Sequence, residues 1–215
     1  WNVAGKDIFK EKPKLLDWLF PSSNLEPADI YALSFQEIVP LNAANILFKS
    51  NAAQVDGWKE IIQDNLNLIS STKKEYDSQK DDYILIKSLE LVGILMFIYV
   101  KKNYFSKLKN IDFLIKKTGS MGYLGNKGSV LYKFELDNKI FAFSSGHLAA
   151  GQTAYKNRIE ELNDILNSKI NSNGITSYKG RFSDYDYWFI LGDLNFRIDL
   201  ENDQVRALIK KEDYS

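Results

Sequence analysis

The chain has 215 residues, 45% of them hydrophobic, and carries 28 Lys+Arg against 28 Asp+Glu, so its formal net charge is zero. That length suits one large domain or two small ones with a sizeable core, and the chain lacks the basic excess of a general nucleic-acid binder. With no cysteine in the sequence, disulfides, thiolate zinc sites and cysteine nucleophiles are excluded for this stretch. There is no N-x-[ST] sequon and no signal peptide, and the first residue is Trp1 rather than Met. The longest apolar run, 91–100, is about half the length of a membrane-spanning helix and reads as a buried strand. A soluble, cytoplasmic protein is expected.

In chain order, 29–35 (Asp-Ile-Tyr-Ala-Leu-Ser-Phe) follows Pro27 and reads as a buried strand ending in Gln36-Glu37. Segments 43–48 and 55–68 read as helices. In the second, Val55, Trp58, Ile62, Leu66 and Ile69 recur at helical spacing. The charged stretch 70–82 reads as a surface loop, and 83–87, 91–101 and 111–117 as strands. Segment 119–128 holds four glycines in ten residues, so a tight, permissive loop is expected there. Segments 129–136 and 139–145 look like a hairpin turning at Asp137-Asn138. Segment 153–169 reads as an amphipathic helix with Thr153 as its N-cap and Tyr155, Ile159, Leu162 and Leu166 as its apolar stripe. A loop over 171–184, a strand over 187–191 and a helix over 202–211 complete the reading. Interleaved strands and helices favour a layered α/β domain.

Three of the apolar strands end in polar clusters: Gln36-Glu37, then Ser144-Ser145-Gly146-His147, then Gly192-Asp193-Leu194-Asn195. Active sites of α/β folds gather at such ends, because the sheet holds side chains rigidly while the loops stay open. If these strands are neighbours, Glu37, His147, Asp193 and Asn195 share one pocket. Glu37 with a few further oxygens suits Mg²⁺, which binds one or two carboxylates and keeps waters or phosphate oxygens. Asp193 could orient and deprotonate a water, while His147 and Asn195 could donate hydrogen bonds to phosphoryl oxygens. Taken singly, each has a plainer role: a turn acid, a surface acid, a lone structural histidine. The Gly119-Ser-Met-Gly-Tyr-Leu-Gly-Asn-Lys-Gly128 loop is not a Walker A motif, since Gly follows Lys127. It is either a tight turn or a phosphate cradle to which Asn126 and Lys127 add a donor and a charge. Asp184-Tyr-Asp186 matches an aspartyl-phosphate motif only by chance, because no apolar strand precedes it.

Read together, these segments resemble the inositol polyphosphate 5-phosphatases, in particular synaptojanin-like catalytic domains. Trp1-Asn2-Val3-Ala4-Gly5 looks like the family's Trp-Asn-Val-Asn-Gly, with Ala4 in place of its second Asn. Phe35-Gln36-Glu37 and Gly125-Asn126-Lys127-Gly128 match two further motifs, and Ser145-Gly146-His147-Leu148-Ala149-Ala150-Gly151 resembles the family's Ser-His-Leu-Ala-Ala-Gly segment with an extra Gly146. Gly192-Asp193-Leu194-Asn195-Phe196-Arg197-Ile198 matches another motif, where Phe196 replaces a Tyr. The resemblance implies an endonuclease/exonuclease/phosphatase fold, a two-sheet β-sandwich flanked by helices. It implies a Mg²⁺ cofactor, held by Asn2 and Glu37, and removal of the 5-phosphate from phosphoinositides or soluble inositol phosphates. His147, Asp193 and Asn195 would form the catalytic group, with Asp193 aligning or activating the water. Glu37, Asn126, Lys127 and Arg197 would bind or support the substrate, Arg197 from behind the site.

The resemblance also implies further motifs after residue 215, including a Ser-Asp-His-Arg-Pro ending, so residues 1–215 are expected to be one C-terminally truncated catalytic domain, inactive and poorly stable when expressed alone. Peripheral membrane contact is expected, with the tip 120–124 (Met121, Tyr123, Leu124) either facing lipid or simply packed. A Mg²⁺-dependent nuclease of the same fold and a catalytically inactive interaction module are the rival readings.

Overall fold

The computed structural model describes residues 1–10, 12–21, 26–40, 51–72, 82–91, 93–117, 128–170, 176–177 and 184–212. The expected helix over 43–48, and the glycine loop with Asn126, Lys127 and the tip 120–124, lie outside the described residues.

The first sheet has three antiparallel strands in the order β1-β3-β2. They are β1 (Ile30–Phe35), β2 (Tyr83–Leu91) and β3 (Ile94–Lys101). Every residue of β3 is buried, which explains its unbroken apolar run. A central strand covered on both faces needs apolar side chains on both. Leu95, Phe97 and Tyr99 face a helical layer built from α1 (Leu16–Leu19) and α2 (Ala52–Thr72). There Phe35 stacks on Trp58 with ring centroids 4.4 Å apart. Ile94, Met96 and Ile98 face the second sheet. The α2 helix is longer than its periodic stripe, and it absorbs the first residues of the expected 70–82 loop.

The second sheet runs β4-β5-β6-β9. A single turn, α3 (Lys102–Phe105), leads into β4 (Lys109–Lys117). Next come β5 (Gly128–Leu136) and β6 (Lys139–His147), which meet as a hairpin. Asp137 and Asn138 both have positive φ, 49° and 60°, the backbone that a two-residue primed turn requires. After α4 (Tyr155–Leu166) and the short pair β7 (Lys169–Ile170) and β8 (Thr176–Ser177), β9 (Tyr187–Asp193) pairs parallel to β6. A last helix, α5 (Asn202–Lys210), follows. Val130, Tyr132, Phe134 and Phe143 meet β3 across the interior of the sandwich. The expected two-sheet sandwich flanked by helices is the fold that forms.

Two local expectations change. Helix α4 begins at Tyr155, its N-cap is Ala154, and no side chain caps it, so Thr153 does not have the assigned role. Tyr155 is 59% exposed and meets Phe196 edge-on. The buried face of α4 instead carries Arg158 and Ile165, because the Arg158 guanidinium finds carbonyl partners inside. Strand β9 also runs two residues past its apolar stretch, since Gly146↔Gly192 and His147↔Asp193 continue the parallel register with β6. At the other end of β9, Asp186 accepts bonds from Ile140 N–H (2.8 Å) and Lys139 Nζ (3.0 Å). Those bonds hold its carboxyl below the usual carboxylate range, and Asp186 serves to start the strand.

Candidate active site

Glu37 follows β1 directly and has a φ of 55°, the left-handed region that a non-glycine residue enters at a cost of about 1–2 kcal/mol. The backbone around it supplies the restraint. Asn2 and Gln36 form a parallel bridge, Val3 N–H donates to Gln36 O (2.9 Å), and Gly5 N–H donates to Glu37 O (2.7 Å). The N-terminal segment thus lies as a short extra rung beside the end of β1 and delivers the Asn2 side chain to the carboxylate. Strain held by surrounding structure is common where a side chain must be aimed.

The second sheet brings the other half. His147 and Asp193 are the paired last residues of β6 and β9. Gly192 allows that pairing: its φ is +123°, and a Cβ there would stand 2.0 Å from Gly146 O. Across the gap between sheets, Asn2 Nδ2 donates to Glu37 Oε1 (2.9 Å) and to Asp193 Oδ2 (3.0 Å). His147 Nε2 lies 3.8 Å from each of the same two oxygens, beyond hydrogen-bond length. His147 is 4% exposed, and each carboxylate side chain is 29% exposed. The two acids are therefore partly open to solvent and share the Asn2 amide, with the imidazole buried beside them.

Asn195, with φ 55°, turns the chain just past β9. Its backbone N–H donates to Asp193 Oδ1 (3.0 Å), leaving Oδ2 turned toward Glu37 and His147. Its Nδ2 donates to Leu148 O (3.0 Å), and its Oδ1 accepts from Arg197 Nη2 (2.6 Å). Arg197 is exposed and reaches the cluster through Asn195. Glu37, His147, Asp193 and Asn195 thus lie together at the strand ends, with Asn2 between the acids and Arg197 on Asn195, while Asn126 and Lys127 fall outside the described residues.

Beneath this cluster lies a buried polar clasp that the sequence did not announce. Ser34 Oγ on β1 and Ser145 Oγ on β6 are 2.6 Å apart, and Gln36 Nε2 donates to Ser34 Oγ (2.6 Å). Trp188 Nε1 donates to Ser144 Oγ (3.0 Å) alongside. Ser34 was legible only as a polar residue inside an apolar strand, and Ser144 and Ser145 only as part of a polar strand ending; their partners across the sandwich and on β9 were not.

Among the described residues, no three His, Cys, Asp or Glu side chains are grouped to hold a metal. The oxygens present are two partly exposed carboxylates. That set fits a hard cation such as Mg²⁺, which takes one or two carboxylates and completes its shell with water and substrate oxygens, and it does not fit a closed protein cage. Asn2 presents its amide nitrogen to the acids, while its Oδ1 accepts from Ala4 N–H (2.9 Å). Ligation through Asn2 Oδ1 requires that amide to turn over.

The family model for Endonuclease/Exonuclease/phosphatase family 2 matches residues 1–215, and the chain belongs to that family. Among curated relatives, human synaptojanin-2 is 32% identical over 100% of this chain and 14% of its own length. The type IV inositol polyphosphate 5-phosphatase 9 of Arabidopsis thaliana is 31% identical over 100% of this chain and 54% of its own length. A crystal structure of the inositol polyphosphate 5-phosphatase domain (IPP5C) of SPsynaptojanin, in complex with inositol (1,4)-bisphosphate and calcium ion, is 31% identical with a TM-score of 0.70. The match covers 92% of this chain and 52% of that one. The chain thus spans about half, or much less, of the proteins it matches.

Proposed function

We propose that the protein carrying this chain is a phosphoric monoester hydrolase. It removes the 5-phosphate of phosphoinositides such as phosphatidylinositol 4,5-bisphosphate, or of soluble inositol polyphosphates, with a divalent cation, Mg²⁺, as cofactor. The observation that carries the reading is the convergence of Glu37, Asp193 and His147 around Asn2. It occurs in a chain 31% identical to a domain solved with inositol (1,4)-bisphosphate and calcium ion.

Glu37, and Asn2 once its amide turns over, would hold the cation, which would supply charge neutralisation at the phosphoryl group. Asp193 Oδ2, fixed because Asn195 N–H occupies Oδ1, takes the proton of the attacking water. As that water's oxygen bonds to phosphorus, the bond from phosphorus to the inositol oxygen breaks. Inorganic phosphate results, and the departing inositol oxygen takes up a proton from water to become a free hydroxyl. His147 Nε2 offers a hydrogen bond to a phosphoryl oxygen, and Asn195 offers the Nδ2 hydrogen not committed to Leu148 O. The glycine loop with Asn126 and Lys127 supplies further phosphate contacts in this reading.

The proposal carries with it a cytoplasmic protein that meets its lipid substrate peripherally, and no described helix is long and apolar enough to cross a membrane. The test is phosphate release by the full-length protein from phosphatidylinositol 4,5-bisphosphate vesicles and from soluble inositol trisphosphate. Each is run with Mg²⁺ and with EDTA, beside an abasic DNA duplex. Cation-dependent phosphate release without DNA nicking is expected. Nicking without phosphate release would transfer the site to a nuclease, and neither activity would favour an inactive interaction module.

A further inference from the structure

Arg158 is 2% exposed, on the inner face of a helix whose outer face is polar. A buried guanidinium is costly unless it is hydrogen-bonded, and Leu or Met would fill the same space more cheaply. Its Nη1 donates to Ala149 O (3.1 Å) and Gly151 O (2.6 Å), and its Nε has no partner among the described residues. Its guanidinium carbon lies 5.8 Å from the centre of the Phe196 ring. One turn further along α4, Glu161 Oε2 accepts Ala149 N–H (2.7 Å). Both polar groups of Ala149 are therefore taken by side chains of α4.

The consequence runs through one peptide plane. Ala149 N–H and Leu148 C=O belong to the same rigid peptide unit. Glu161 holds the N–H end, and the C=O end accepts Asn195 Nδ2 (3.0 Å). Leu148 N–H meanwhile donates to Asp193 O (3.0 Å). Bonds from α4 thus bear on the direction of the Leu148 carbonyl, the acceptor of Asn195 Nδ2.

We propose that Glu161, with Arg158 as its companion, is a positioning residue: it orients the 148–149 peptide, and that peptide orients Asn195 behind the water-activating Asp193. This rests on the phosphatase reading for its kinetic test but not for its structural one. Glu161 is half-buried, so its replacement leaves the fold standing, unlike that of Arg158.

In the full-length protein, Glu161→Met removes the acceptor, whereas Glu161→Gln keeps an oxygen that can take the Ala149 N–H. With a soluble inositol trisphosphate and Mg²⁺, Glu161→Met is expected to lower kcat between about 10- and 100-fold, with KM and melting temperature little changed, and Glu161→Gln to recover most of the loss. An unchanged kcat in Glu161→Met, or an equal loss in both variants, overturns the proposal. The second readout is independent of turnover. In ¹⁵N-labelled protein the side-chain amide signals of Asn195 should move in Glu161→Met and stay in Glu161→Gln; signals unmoved in both variants overturn the proposal. A wild-type protein without phosphatase activity sinks the functional reading alone, and the Asn195 signals then decide the positioning role.

Discussion

The two strands that carry the acids are supported very differently. β1, which delivers Glu37, is backed by a helical layer and pairs with a strand buried along its whole length. β9, which delivers Asp193, pairs with β6 alone among the described residues, as β1 does with β3, and the difference lies in how their faces are covered. Tyr187 and Phe189 of β9 are 48% and 47% exposed, although each stacks on an aromatic neighbour of β6. The difference separates stability from chemistry. The Glu37 side sits on a strand packed against a helical layer, and the Asp193 side on a strand whose aromatic residues are half exposed.

The largest effect should come from the chemistry on the open side. Asp193→Asn keeps the shape and one acceptor oxygen, enough for Asn195 N–H, but replaces the other oxygen, the proposed proton acceptor, with a donor. It should lower phosphate release by roughly 10²–10⁴-fold without moving the denaturation midpoint. A comparable fall in both would mean that Asp193 is structural. Next in size is a matched pair of core tests by denaturant unfolding. Phe97→Ala, at a fully buried position, should cost about 3–5 kcal/mol, whereas Phe189→Ala, already half in water, should cost about 1 kcal/mol or less. Equal losses would erase the contrast between the halves.

Gly192→Ala probes the joint between β6 and β9. It places a methyl against the Gly146 backbone at a φ of +123°, and a loss of about 2–3 kcal/mol is expected, accompanied by reduced activity because Asp193 is the next residue. The smallest change has the opposite sign. Ala4 sits at φ 52°, where alanine is strained. Ala4→Gly should stabilise the protein by up to about 1 kcal/mol, visible as a higher melting temperature.

Much of the site was legible because its residues close apolar strands. The polar endings Gln36-Glu37, Ser144 to His147 and Gly192 to Asn195 mark the positions that meet. What could not be read were contacts whose partners lie far along the chain. Ser34 and Ser145 are 111 residues apart and form a buried pair only because β1 and β6 face each other. Arg158 was hidden inside an amphipathic pattern: periodicity placed Tyr155 on the inner stripe, yet Tyr155 is exposed and the arginine is inside. Helical spacing reports apolar side chains and says nothing of a cation drawn inward by loop carbonyls. The end of β9 was missed for a related reason. Gly192 and Asp193 have no strand propensity of their own and are held extended by the partner strand.

By itself the sequence determined the alternation of strands and helices, the double-sided burial of β3 and the polar residue types at three strand ends, because each is a local consequence of pattern and composition. Only the tertiary structure decided that Glu37 and Asp193 share the amide of Asn2, that Asn195 bonds a peptide held from α4, and that, among the described residues, β1 is backed by helices while β9 leaves its aromatic side chains half exposed. Those outcomes depend on which strands become neighbours, and that choice is made by packing two sheets together rather than by any short stretch of chain.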